Sequence, residues 1–138
     1  MRLTAFTDYG LRALMRLASE PERLFTTDEI AQEFAISRNH LTKVVRELAS
    51  AGFIATQRGS GGGFRLAQAP EAISIGAVVR HLESRHALVE CFRSDGGHCI
   101  LTPKCRLKRR LAAAAKAFLD ELDKLTLAEC AYPPRPAR

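Results

Sequence analysis

Cys91, Cys99 and Cys105 stand in the stretch CFRSDGGHCILTPKC with the spacing C-x7-C-x5-C, and they are three of the chain's four cysteines. A thiolate is both a nucleophile and a soft metal ligand. Zinc modules commonly pair their ligands as C-x2-C, because a tight turn then presents both sulfurs to one tetrahedral ion. This stretch contains no such pair. Wider gaps suit a larger object whose separate irons are reached by separate thiolates, an iron–sulfur cluster. Three cysteines leave a fourth position to another kind of ligand. His98 adjoins Cys99 and points away from whatever Cys99 binds, so its expected role is loop structure or solvent contact. Cys130, close to the C-terminal end, is expected to be an incidental thiol. An enzyme built on His98 and Cys99 is disfavoured, since adjacent residues rarely converge on one substrate and no second base or glycine nest accompanies them. A colourless structural zinc site is the remaining alternative from a different class.

Composition limits the setting of this chemistry. The 138 residues favour one domain with an added dimerisation element, and 46% hydrophobic content supplies a core. No run of roughly eighteen apolar residues exists, and MRLTAFTDYG opens a polar helix, so neither a membrane span nor a signal peptide is expected. The expected location is cytoplasmic, where clustered cysteines serve as metal ligands or redox groups rather than disulfides. A net charge of +6 suits a polyanionic partner. The cationic run Lys104, Arg106, Lys108, Arg109 and Arg110 is either a solvated face or a counter-charge to a thiolate-bound cluster.

The elements that position these groups are mainly helical. Thr7 or Asp8 is expected to cap a first helix running to about Ser19, with Leu11, Leu14, Met15 and Ala18 on one face. Thr27 caps a short second helix that ends near Ala35. Ser37 caps a third, in which Leu41, Val44, Val45 and Leu48 recur at helical spacing until Gly52. In FIATQRGSGGGFRLA the period changes to that of a hairpin. Two short helices followed by a hairpin predict a winged helix-turn-helix. Ser37, Arg38, Asn39, His40 and Lys43 suit base edges and phosphates in a major groove, and Thr27 stands at the head of the supporting helix. Arg58 and Arg65 flank a turn in which Ser60, Gly61 and Gly62 allow close backbone approach to a minor groove. Ser74 is expected to cap a further helix through Ile75, Val78, Val79 and Leu82. Thr102-Pro103 is expected to start a long last helix, whose Leu111, Ala115, Phe118, Leu122 and Leu125 form a seam for a second subunit. The resulting division is 1–70 for DNA binding, 71–128 for the thiol loop and dimerisation helix, and 129–138 as a disordered tail.

Taken together, LTAFTDYGLRALMRLA, SRNHLTKVVRELASAGFI, RGSGGGFRLA, ISIGAVVRHLE, LVECF and CILTPKCRLK resemble the winged-helix iron–sulfur regulators. This is the Rrf-two family, with IscR-like, RirA-like and NsrR-like members, and the NsrR-like nitric-oxide sensors are the most similar. The resemblance spans roughly residues 1 to 128. It implies a homodimeric, non-enzymatic repressor of a palindromic operator, released when nitric oxide attacks a cluster held by Cys91, Cys99 and Cys105. A [4Fe–4S] cluster is implied in preference to [2Fe–2S]. IscR-like members carry a histidine soon after the last cysteine, where this chain has Leu107. NsrR-like members use an acidic residue of the first helix, and FTDYG offers Asp8, which would come from the partner subunit. The alternative role of Asp8 is a plain N-cap. The x7 gap also resembles the RirA-like regulators, so sensing of iron or cluster supply is the second reading of the signal.

Overall fold

Thr4 opens the first helix of the computed structural model, which describes residues 2–133. Its hydroxyl accepts the Thr7 N–H at 3.2 Å and caps α1 (Ala5–Ser19). The expected caps, Thr7 and Asp8, lie a turn too late. Thr7 is turned inward and fully buried, while Asp8 pairs with Arg12 on the surface. Thr4 takes the cap because the Glu83 carboxylate fixes it, accepting its N–H at 2.7 Å and its hydroxyl at 3.0 Å. Gly10, Ala13, Leu14, Leu17 and Ala18 form the buried stripe of α1, at the spacing of a helix face.

The second helix, α2 (Thr27–Phe34), is capped by Thr26 rather than Thr27. Glu29 stands three residues after Thr26, so the two close a reciprocal capping box, with Thr26 N–H to Glu29 at 2.7 Å and Glu29 N–H to the Thr26 hydroxyl at 3.2 Å. Ala35, at φ 54°, then turns the chain in the left-handed region, and buried Ile36 donates its N–H to the Ala31 carbonyl at 2.9 Å. As expected, Ser37 caps α3 (Arg38–Ser50), which buries Leu41, Val44, Val45 and Leu48. Two strands follow, β1 (Ile54–Gln57) and β2 (Gly63–Leu66), antiparallel with Ile54 opposite Leu66 and Gln57 opposite Gly63. Phe25 extends this sheet, exchanging N–H and carbonyl with Phe64 at 2.8 Å in each direction.

Beyond the wing, Ser74 caps α4 (Ile75–Leu82), and a loop with short 3-10 turns at Glu90–Phe92 and Thr102–Lys104 leads to α5 (Arg106–Asp123). The start of α5 differs from expectation. Thr102-Pro103 makes its own turn, and the N-cap of α5 is Cys105, whose Sγ accepts the Lys108 N–H at 3.4 Å. The seam residues divide as well. Phe118 and Leu122 pack against the chain's own core, no residue of α5 is fully buried, and Leu125 lies just past the helix. The described part of the expected tail, Glu129 to Pro133, is held in place. Leu127–Cys130 forms a 3-10 turn, Ala131 is buried and Tyr132 donates its N–H to the Met15 carbonyl at 2.9 Å. Residues 134–138 of that tail lie outside the described residues.

One hydrophobic core joins the helices and the hairpin, leaving the loop between α4 and α5 outside it, and runs from Leu14, Leu17 and Phe25 to Ile73, Val78, Val79, Leu82 and Leu127. It therefore continues across residue 70. Among the described residues, no helix is long and apolar enough to cross a membrane. The end of α5 is clasped to α4 by Asp123, which accepts from both Arg80 Nη atoms at 2.6 and 2.7 Å and from the Ser74 hydroxyl at 3.2 Å. The Arg80 guanidinium holds the Asp123 carboxyl below the usual carboxylate range. Glycine at position 76 makes room for Asp123, whose carboxylate and backbone nitrogen would both meet a Cβ there.

Two stability outcomes follow from these contacts. Gly76→Ala should push Asp123 off α4 and cost about 1–3 kcal/mol in urea unfolding, the usual range for an overpacked contact. An added Asp123→Ala should recover part of that loss. At Glu83, burial opposes ionisation, but hydrogen bonds from Thr7 and Thr4 outweigh it and hold the carboxyl below the ordinary range. A depressed carboxylate stabilises the fold at neutral pH, and that contribution disappears as pH falls through its folded-state pKa. Glu83→Gln should thus cost about 1–2 kcal/mol at pH 7. Its unfolding midpoint should converge on that of the unsubstituted chain below the ordinary glutamate range.

Candidate DNA-reading surface and thiol loop

The first turn of α3 carries the residues expected to read a groove. Arg38, Asn39, His40 and Lys43 are all exposed, as is Ser37, whose hydroxyl is engaged by the His40 N–H at 3.4 Å. The Arg38 guanidinium rests on Asp28 at 3.2 Å, with the two side chains 71% and 61% exposed. A pair so open to water contributes little, and it exchanges readily for a phosphate or a base edge. Asp28 was not singled out from the sequence, because a first-turn acid reads there only as support for the helix dipole. With Thr26 as the cap, the Thr27 side chain is left half-exposed at the head of α2. His40 stacks on Tyr9 of α1, with ring centroids 6.4 Å apart and planes inclined by 27°. The Arg12 guanidinium lies 6.0 Å from the Tyr9 ring. The start of α3 is thus braced directly by α1.

The wing is short and stiffly founded. Phe64 is buried at its base, where Phe25 is flanked by the guanidinium groups of Arg16 and Arg23 at 4.8 and 4.4 Å. Arg65 is exposed on β2 opposite Ala55, and Arg58, Ser60 and Gly61 are exposed at the tip. Gly59 and Gly61 adopt left-handed backbone, at φ 93° and 74°. Gly62 donates to the Gly59 carbonyl at 3.0 Å, and a Cβ on it would strike the Gln57 carbonyl. The glycine run is therefore needed for the turn itself, and it also leaves the tip backbone uncovered.

Cys91, Cys99 and Cys105 are free thiols, each half-buried, in the loop between α4 and α5. Among the described residues, no three His, Cys, Asp or Glu side chains converge as they would around a single metal ion. The loop is nevertheless organised. Glu90, beside Cys91, accepts the His98 N–H at 2.9 Å, and Asp95 accepts the Gly97 N–H at 2.9 Å. Gly96 and Gly97 take left-handed φ values of 77° and 63°, and Gly97 packs against Glu90 too closely to carry a side chain. Glu90 is an organising residue that sequence spacing does not reveal. The His98 ring is exposed, in keeping with the solvent role expected of it. The donor set, three accessible thiols with no disulfide partner, has the soft-ligand chemistry of an iron–sulfur cluster, whose irons take thiolates at several separate points. Ile100 and Leu101, at 91% and 64% exposed, leave an apolar surface on the same loop.

The remaining two groups lie elsewhere. Asp8 is half-exposed on the first turn of α1, held by Arg12 in a two-point contact at 2.6 and 3.2 Å. It is not the N-cap, and within α1 its carboxylate sits in the first turn and pairs with Arg12. Cys130 packs against the core, where burial and Glu129 push its thiol upward in pKa, the behaviour of an inert thiol.

A family model described as an iron-dependent transcriptional regulator, Rrf2, matches residues 3–132. HTH-type transcriptional regulators NsrR are 49% identical to this chain in two bacteria. The relative from Bacillus licheniformis aligns over 128 residues, 92% of this chain and 90% of the relative. That from Geobacillus kaustophilus aligns over 130 residues, 94% of this chain and 88% of the relative. Among solved structures, IscR of T. potens superposes with a TM-score of 0.73 at 25% identity, covering 94% of this chain and 85% of that one. The oxidized form of CymR from Staphylococcus aureus superposes at 0.74 and 27% identity, covering 95% and 96%. The helix-turn-helix, its wing and the match over nearly the whole length agree: the chain belongs to the Rrf2 family and is a DNA-binding transcriptional regulator.

Proposed function

We propose that the chain acts as a homodimeric repressor that senses nitric oxide through an iron–sulfur cluster, [4Fe–4S] in type, bound by Cys91, Cys99 and Cys105. The observation that carries this reading is the arrangement of three free, half-buried thiols in one glycine-jointed loop. When bound, the cluster supplies the iron with which nitric oxide reacts. Every other part belongs to the chain. Cys105 ends the loop and caps α5, so a change in what its sulfur contacts bears directly on the first turn of the dimerisation helix. Asp8 of the partner subunit is the proposed fourth ligand, and its own α1 braces α3 through Tyr9 and His40. The half-covered apolar stripe of Leu111, Ala115, Phe118 and Leu122 is the proposed subunit seam. Residues 1–70 serve as the reading head, and 71–128 as the sensor and dimer region. The iron dependence by which the family is described favours iron or cluster supply as the alternative signal. Operator binding measured on the cluster-loaded protein with and without nitric oxide separates the two.

The reading head has its own test. Arg38→Ala should cost about 1–3 kcal/mol of operator affinity, and mostly at one base pair, if the guanidinium grips a base edge. Lys43→Ala should weaken all sequences alike, and Arg58→Ala should reduce the slope of log affinity against log salt by roughly one. Undiminished affinity in all three variants would remove both α3 and the wing from the interface.

The sensor is tested by colour. After anaerobic reconstitution, Ser at Cys91, Cys99 or Cys105 should bleach the protein, whereas Cys130→Ser should leave it brown. Asp8→Ala should keep the colour but make it more labile and uncouple it from operator release. A wild-type chain that stays colourless and retains zinc sinks the proposal.

A further inference from the structure

Among the described residues, the Thr102 hydroxyl is the one buried side-chain polar atom without a hydrogen-bond partner. Its place in the chain is fixed on both sides by cysteines. The Thr102 N–H donates to the Cys99 carbonyl at 3.3 Å, and the Cys105 N–H reaches the Thr102 carbonyl at 3.5 Å. These backbone contacts build the 3-10 turn Thr102–Lys104, the last turn before the Cys105 cap. They engage the main chain and leave the hydroxyl out. Pro103 follows, which removes the nearest backbone donor. An unsatisfied buried hydroxyl carries a desolvation penalty, and a fold that keeps one calls for a reason. A hydroxyl has one proton to give, and the acceptors that this loop is built to gather are sulfurs.

Resting on the cluster reading above, we propose that Thr102 is a positioning and tuning residue, whose hydroxyl donates a hydrogen bond to sulfur when the loop closes on the cluster. Hydrogen bonds to cluster sulfurs draw off negative charge, which raises the reduction potential and strengthens retention of the cluster. The orphaned hydroxyl thereby gains its partner in the loaded protein. The same group that slightly weakens the metal-free fold favours the loaded one.

That opposition of sign gives the test. Thr102→Val keeps the shape and deletes the hydroxyl, and Thr102→Ser keeps the hydroxyl. The metal-free Thr102→Val protein should melt at or above the unsubstituted temperature, because an unpartnered polar group has gone. After anaerobic reconstitution, the same variant should show a more negative midpoint potential in a dithionite titration and lose its visible absorbance to EDTA severalfold faster. Thr102→Ser should restore both properties toward wild type. A Thr102→Val protein that is brown, with unchanged potential and unchanged loss to EDTA, overturns this proposal while leaving the three-cysteine reading intact. A lowered melting temperature in the metal-free variant with no shift in potential assigns the hydroxyl a purely structural role and overturns it too. A wild-type protein that takes up no cluster overturns both readings.

Discussion

Residue 10 of α1 sits so close to its neighbours that a methyl group on it would displace the Leu82 side chain, and three helices are arranged around that point. A Cβ there would meet Leu82 of α4 at 2.7 Å and Val44 of α3 at 3.5 Å. Three helices thus approach one another at a single glycine of α1. The helix proposed to face DNA, α3, and the helix that leads into the thiol loop, α4, share this support, so a shift of either against α1 disturbs the core. Close-packed interiors convert such shifts into discrete rearrangements, not gradual bending. The Glu83–Thr4 contact at the head of α1 and the Tyr9–His40 stack lie on the same path.

The polar contacts that surround this core differ in weight. Arg38–Asp28 and Lys116–Asp120 are open to solvent and add little to stability. Arg16 is more enclosed and spans Glu20 and Glu33 while lying over Phe25. It ties α1 to α2 and to the base of the wing at once. The Asp123 clasp joins α4 to α5 at the other end, with Arg80 and Asp123 more open to solvent than Arg16.

Helices and the hairpin were legible in the sequence because each carries a strong local period: Leu41, Val44, Val45 and Leu48 in α3, or the glycine run of the wing. The caps were less so. Thr4 displaced Thr7 and Asp8 through a contact with Glu83, 79 residues away, and a local pattern contains no such information. Thr26 displaced Thr27 for a local reason, the capping box with Glu29, which the sequence did display. Phe25 and its bridge to Phe64 were missed, since a single residue of pairing has no periodicity. At the site, the cysteine spacing marked out the loop and suggested the chemistry proposed for it. Cys105 as a helix cap and Glu90 as a loop anchor depend on three-dimensional closure, as does the lone Thr102 hydroxyl. The stripe on α5 was visible, but a sequence cannot apportion an apolar face between its own core and a second subunit.

The left-handed alanine between α2 and α3 has a further consequence. Ala35 adopts φ 54°, where its methyl group costs about 1 kcal/mol relative to a right-handed residue. Glycine would relieve that strain, but it would also give the junction many alternative paths. The alanine is held in this strained conformation by its surroundings, chiefly buried Ile36 and its hydrogen bond to Ala31, so the corner is fixed by packing. On the proposed reading, the two helices meet DNA as a wedge whose angle the surrounding core holds. In the proposed dimer, whatever adaptation a curved or unevenly spaced operator demands then falls to the duplex, or to the joint between the two heads.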